Sequence, residues 1–175
     1  MDSWNKYFLD IAGIVASKSK VSTKVGCVIV DPNDMTILAT GYNGAPSGIA
    51  DNDYVMHGPY KKLFVEHAET NAVLGAARRG ASLRGSRAYL TLPPCFDCAR
   101  AMIRAGVSVI ITTEDLRDQK DRDAEENRWW DVERLLDTCG VHYYMIYDDS
   151  QLWASEVLPR ITKECNRGHI DWTET

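Results

Sequence analysis

A chain of 175 residues, 45% hydrophobic and 26% charged, is long enough to bury a full core as one domain. Its net charge of −5 and pI near 5.4 argue against a protein that coats nucleic-acid backbone, which normally presents a basic face. No apolar run approaches the ~18 residues of a membrane span, and the polar start Met1-Asp2-Ser3-Trp4-Asn5-Lys6 does not read as a signal peptide.

Ser3 is a suitable cap for a first helix running to about Ser17, with Tyr7, Ile11, Ile14 and Val15 near one face. Val25 to Val30 is a short β-branched run and predicts a strand. Asp31-Pro32-Asn33-Asp34 predicts a turn, and Thr36 to Tyr42 its hairpin partner. A polar loop follows from Asn43 to about Pro59. Helix is expected over Glu66–Arg79, stopped by Gly80. Further on come a strand over Arg87–Leu92, a helix over Cys95–Ala105 and a strand over Val107–Thr112. Asp115 to Asn127 is a charge-dense connection. A helix over Trp129–Thr138 and a strand over Val141–Tyr147 complete a core of about residues 4–147. The tail, 148–175, contains a short predicted helix over Ser155–Lys163. Strand and helix alternate from residue 87 onward, which predicts parallel strands with right-handed crossovers. The expected fold is α/β: a three-layer α/β/α sandwich on a five-stranded mixed sheet, forming one domain over 1–175.

Two short motifs carry the chemistry. His67-Ala68-Glu69 and Pro94-Cys95-Phe96-Asp97-Cys98 offer one imidazole and two thiols, a donor set that suits zinc. No fourth protein ligand stands beside them, as expected where the open position holds water. Glu69 is close enough to move protons without ligating. Zinc lowers the pKa of bound water from about 15.7 to roughly 7, and positioned acid–base transfer is worth on the order of 10²–10⁴ in rate. The H-x-E…P-C-x-x-C spacing is an established signature of zinc nucleobase deaminases, matched here rather than deduced. Pro93 and Pro94 suit the start of the helix that carries the cysteines, and its dipole favours thiolates. The bland alternative is a structural zinc knuckle. Of the five cysteines, Cys27, Cys139 and Cys165 fall in strand, helix-end and tail contexts and read as reduced thiols. The expected compartment is therefore the cytoplasm, a host's if the origin is viral.

With these residues in view, the sequence resembles the deoxycytidylate (dCMP) deaminases of the cytidine-deaminase superfamily. The likeness covers roughly residues 4 to 147. It rests on Ser22 to Val30, on Gly41-Tyr42-Asn43-Gly44-Ala45-Pro46, on His67-Ala68-Glu69-Thr70-Asn71-Ala72 and on Leu90 to Ala99. The resemblance implies one zinc per chain, held by His67, Cys95 and Cys98, with Glu69 as proton shuttle and dUMP plus ammonia as products. It implies a homo-oligomer, often a hexamer. It also implies that Asn43 hydrogen-bonds the deoxyribose and that the Ala68 backbone helps read the cytosine edge. Regulation by dCTP and dTTP, with Mg2+ accompanying the triphosphate, would involve Gly41, Tyr42, Gly44, Asn71 and Arg78. Against this, an Asn-Gly pair also makes ordinary turns, and Arg78 also suits a solvated helix end.

A 5′-phosphate dianion needs charge-assisted donors. Ser22, Thr23 and Lys24, just before the first strand, are the candidates, although the lysine-rich exit at Lys18 and Lys20 also fits simple solubility. Several relatives place a tyrosine after the strand that follows the cysteine helix. Here that stretch is Glu114-Asp115-Leu116-Arg117, and Arg117 could reach the phosphate. Trp129 and Trp130 are expected at an interface or in the core, or one of them over the base. The altered stretch leaves a 5-substituted dCMP, or dCTP, as an alternative substrate. A nucleic-acid deaminase and a non-catalytic zinc module are the remaining alternatives. His57 could be a remnant of a second zinc site, but no cysteine between Val28 and Glu66 accompanies it. His142 and His169 read as ordinary residues.

Overall fold

The computed structural model describes residues 3–50, 52–59, 61–113 and 129–146. The charged connection with Arg117, and the tail with its expected helix, Cys165 and His169, lie outside the described residues. So do the side chains of Trp129 and Trp130.

Helix α1 (Ser3–Ala16) leads into strands β1 (Gly26–Val30) and β2 (Ile37–Tyr42). A single-turn helix, α2 (Asp53–Met56), interrupts the expected loop, and a second, α3 (Lys61–Phe64), follows it. Then follow α4 (Ala68–Arg79), β3 (Arg87–Leu90), α5 (Phe96–Ala105), β4 (Val109–Thr113), α6 (Trp129–Thr138) and β5 (His142–Ile146). The sheet order is β2-β1-β3-β4-β5. β1 runs antiparallel to both its neighbours, while β3, β4 and β5 are parallel, so the sheet is mixed as expected.

Side chains alternate across a strand, and that alternation divides the core in two. Val28, Val30, Tyr89 and Ile111 face α1, through Phe8, Leu9 and Ala12. Cys27, Ile29, Ala88, Leu90 and Ile110 face the opposite layer of α4, α5 and α6, through Ala72, Ala76, Met102 and Leu136. β1 is buried along its whole length because it has a helix layer on each side.

The apolar face of α1 differs from the expected one. Tyr7 is 51% and Ile14 67% exposed, whereas Phe8, Leu9, Ala12 and Ala16 are buried. The helix turns its small residues inward because it lies directly on β1. A Cβ on Gly26 would stand 2.0 Å from the Ala12 carbonyl oxygen. A similar close approach sets α4. Ala68, Ala72 and Ala76 recur every four residues on its buried face. They admit Gly41 of β2, where a Cβ would lie 2.2 Å from the Ala68 carbonyl oxygen and 2.5 Å from the Ala72 nitrogen. These contacts fix how far the first turn of α4 stands from the sheet, and that turn carries the functional residues.

Candidate metal centre

The two motif helices begin one residue or more later than the sequence pattern predicts, and the difference matters. His67 is the N-cap of α4, with φ −74° and ψ 155°, and Cys95 is the N-cap of α5, with φ −78° and ψ 173°. Both are extended, and neither side chain makes the usual capping bond to its own helix. They turn toward each other instead. Pro93 and Pro94 accordingly precede the cap rather than occupying the first turn. Cys98 sits at the third helical position of α5, which is the position whose side chain neighbours the cap.

The result is a tight cluster. The Nδ1 of His67 is 3.5 Å from the Cys95 sulfur and 3.4 Å from the Cys98 sulfur, and the three donor atoms all lie within 4.8 Å of one another. Bond lengths of about 2.3 Å to sulfur and 2.1 Å to nitrogen place the donors of a tetrahedral zinc about 3.6–3.8 Å apart. The two nitrogen–sulfur distances are close to those values, and the donor set fits a zinc ion. Among the described residues this is the group of side chains close enough to share an ion. His57 ends α2 as an exposed C-cap and is not part of it.

The electrostatics suit the same purpose. A hydrogen bond shared between the two cysteines pulls the Cys95 thiol well below its ordinary pKa and pushes Cys98 up. The hydrogen bond to Cys95 raises His67 to about 9, against the opposing effect of its burial. Glu69 is 4% exposed, and burial raises its carboxyl above the ordinary carboxylate range. Beneath it, the fully buried Cys27 thiol is pushed up by burial and then by the charge of Glu69. A carboxyl raised in this way holds a proton more readily than an exposed one, which suits a group that must accept one.

The Gly41–Gly44 segment braces this centre from the side. The backbones of Gly44 and Glu66 exchange two hydrogen bonds of 3.1 Å, one residue before His67. The Glu66 carboxylate accepts the His67 N–H at 2.9 Å. Asn71, a turn into α4, donates from Nδ2 to the Tyr42 carbonyl at 2.9 Å. Asn43 is buried, its side chain clasping the preceding segment. Its Oδ1 accepts the Val25 N–H at 2.9 Å, and its Nδ2 donates to the Thr23 carbonyl at 2.8 Å. One N–H and one lone pair of the amide remain for another partner. Ser22, Thr23 and Lys24 are exposed, and Arg78 is exposed in the last turn of α4. Ala68 is the first helical residue of α4, so its N–H is among those with no acceptor inside the helix.

A cavity of about 290 Å³ opens beside the cluster, walled by Pro46, Lys62, Glu66, His67, Thr70 and Cys98 among others. The motif reading did not single out Thr70, Glu66 or Lys62. For Thr70 a signal was present: it stands three residues after His67, the same interval that separates Cys98 from Cys95.

Three cysteine and histidine donors with a buried glutamate beside them, at the N-termini of two helices on this sheet, are the parts of a hydrolytic nucleobase deaminase. The chain belongs to the cytidine and deoxycytidylate deaminase family. Residues 2–114 match that family's zinc-binding region, and the fold is cytidine deaminase-like. Among its relatives is a probable deoxycytidylate deaminase of Drosophila melanogaster, 34% identical over 152 residues, or 80% of this chain and 70% of that one. Another is a probable deoxycytidylate deaminase of Caenorhabditis elegans, 39% identical over 155 residues, or 86% and 73% of the two chains. The crystal structure of the dCMP deaminase of cyanophage S-TIM5 in complex with dCMP and dUMP is similar, with 26% identity and a TM-score of 0.66. The match covers 83% of this chain and 98% of that one. No helix among the described residues is long and apolar enough to cross a membrane.

Proposed function

We propose that the chain catalyses the hydrolytic deamination of dCMP to dUMP and ammonia, with zinc held by His67, Cys95 and Cys98. The observation that carries this reading is the convergence of those three donors next to buried Glu69, in a chain whose relatives are named for this reaction. When bound, zinc supplies a water whose pKa is lowered to roughly 7.

Glu69 accepts a proton from the attacking water and hands it to N3 of the cytosine ring. The oxygen bonds to C4, the C4–N bond breaks, and Glu69 relays the second proton to the departing ammonia. Burial supports this role, because it raises the carboxyl and so strengthens it as a proton acceptor. The N-termini of α4 and α5 turn their positive ends toward the cluster, which favours the thiolates and the negative charge that develops on the ring. Asn43 serves two partners in this reading. It holds residues 23–25 in place, and its remaining N–H meets the deoxyribose. Ser22, Thr23 and Lys24 then present donors to the phosphate, joined by Arg117. The Ala68 N–H reads the base edge.

Three further parts belong to the same reading: cytoplasmic location, homo-oligomeric assembly, hexameric in the first instance, and regulation by dCTP and dTTP with Mg2+. Exposed Ile37 and Tyr42 on edge strand β2, with Leu74 on α4 at 56% exposure, support assembly through that side. The regulatory residues would be Gly41, Tyr42, Gly44, Asn71 and Arg78, whose hydrogen bonds and packing lead directly to α4.

The test is turnover by zinc-loaded protein of dCMP, 5-methyl-dCMP, dCTP, deoxycytidine and a cytosine-containing single strand, with Glu69→Gln in parallel. Selective use of the monophosphates, with E69Q retaining zinc and fold but losing about 10²–10⁴ in rate, is the expected result. Deoxycytidine turned over as fast as dCMP would overturn the phosphate assignment. Full activity in E69Q would overturn the mechanism.

A further inference from the structure

The two ligand-bearing helices share a local plan. In α5, Cys95 at the cap and Cys98 three residues later both contribute sulfur. In α4, His67 at the cap is a donor, and Thr70 stands three residues later, where the cap geometry brings the two side chains together. Thr70 Oγ1 lies 3.7 Å from the Cys98 sulfur, within hydrogen-bonding range for sulfur, and Thr70 lines the cavity beside the cluster.

A threonine near a helix N-terminus commonly bonds to its own helix. Here the hydroxyl instead crosses to the neighbouring helix and meets the sulfur of Cys98, a residue that is 1% exposed. A ligating thiolate has no proton to give, so in the loaded site the hydroxyl is the donor and the sulfur the acceptor. Such a bond fixes the rotamer of the ligand before metal arrives. It also draws electron density away from the sulfur, which leaves the metal a stronger Lewis acid. Groups behind metal ligands act on both properties.

We infer that Thr70 is a positioning residue for the metal centre, donating through its hydroxyl to the Cys98 thiolate and thereby tuning both the hold on zinc and the zinc's acidity. The inference rests on the zinc reading above and adds a residue to it.

The experiment compares wild type, Thr70→Val, which keeps the shape and removes the hydroxyl, and Thr70→Ser, which keeps the hydroxyl. Each metal-free protein is loaded with cobalt(II) to record the thiolate-to-metal charge-transfer band, and zinc affinity is measured by chelator competition. T70V is expected to move the band to longer wavelength, because the sulfur lone pairs are no longer held by a donor. It should weaken zinc about tenfold, the lower end of the ~10–100-fold range for such partners. T70S is expected to keep the wild-type band. A T70V protein with wild-type band and affinity would overturn the inference, as would T70S shifting as far as T70V, since packing would then be the cause. A wild-type protein with no thiolate band at all would overturn the zinc reading itself, and with it this inference.

Discussion

The helices that meet at the metal cluster are held in place by different means. α4 is placed by directed contacts: the paired backbone bonds of Gly44 and Glu66, the bond from Asn71 to the Tyr42 carbonyl, and the close seat against Gly41. α5 is placed by burial. Met102 and Ala99 are fully buried in the common core, and the polar face carries the exposed pair of Asp97 and Arg100 together with exposed Arg104. Hydrophobic contact is non-directional and tolerates repacking, whereas hydrogen bonds and backbone contacts specify position closely. The helix that must aim an imidazole, a carboxylate and a hydroxyl at one point is the one with specific braces.

That difference yields an ordered set of expected effects. The largest comes from the buried side of α5. Met102→Ala should cost about 2–5 kcal/mol, read as a fall in denaturation midpoint. Zinc stoichiometry in the folded fraction should nevertheless stay unchanged. Gly41→Ala should cost about 1–3 kcal/mol, because the new Cβ meets backbone that can only shift. Unlike M102A, it should also reduce zinc affinity in the folded protein, and equal zinc retention in the two variants would erase the distinction drawn here.

A graded effect follows from pH. His67 in the metal-free protein is raised from 6.5 to about 9, chiefly by its hydrogen bond to Cys95. A raised folded-state pKa gives stability that is complete below the unfolded value and lost as pH climbs through the folded one. Cys95, held far below its ordinary value, gains stabilisation over the same window, so the metal-free protein should keep a nearly level stability between pH 6.5 and about 9, and His67→Gln should turn that plateau into a rise with pH. Over the same window zinc uptake should release fewer protons and tighten as pH rises, which calorimetry in two buffers can follow. The smallest effect belongs to Asp97→Asn. An exposed ion pair is worth about 0.2–1 kcal/mol, so its loss should leave midpoint and zinc affinity near wild type.

How much of this could be read beforehand depends on the range of the interaction. The cluster was legible because short spacings decide it: C-x-x-C joins a helix cap to its first turn, and H-x-E does the same for the neighbouring helix. The sheet was legible from alternation and from the helices between β3, β4 and β5. The work of Asn43 and Gly41 was not, since Asn-Gly beside glycine predicts a turn equally well with or without a buried clasp. Contacts distant in sequence distinguish them: residues 23–25 for Asn43, and the approach of α4 to β2 for Gly41. α2 and α3 escaped for a simpler reason: a four-residue helix is too short to display a period. The inward face of α1 differs from the pattern's because Ala12 and Ala16 carry little apolar weight in a sequence, whereas the fold needs them beside Phe8 and Leu9 to seat the helix on β1.

The separation of the donors along the chain has a consequence for the life of the molecule. His67 and Cys95 are 28 residues apart, with all of α4 and β3 between them. An ion gripping both ends acts as a removable cross-link that closes this loop, and loop-closure arithmetic for a covalent bond of that span gives roughly 3–4 kcal/mol. Since a small domain has only about 5–15 kcal/mol in hand, zinc scarcity would shorten the survival of the protein as well as silence it. Supply of the metal would then set how many copies persist, and not only how many are active.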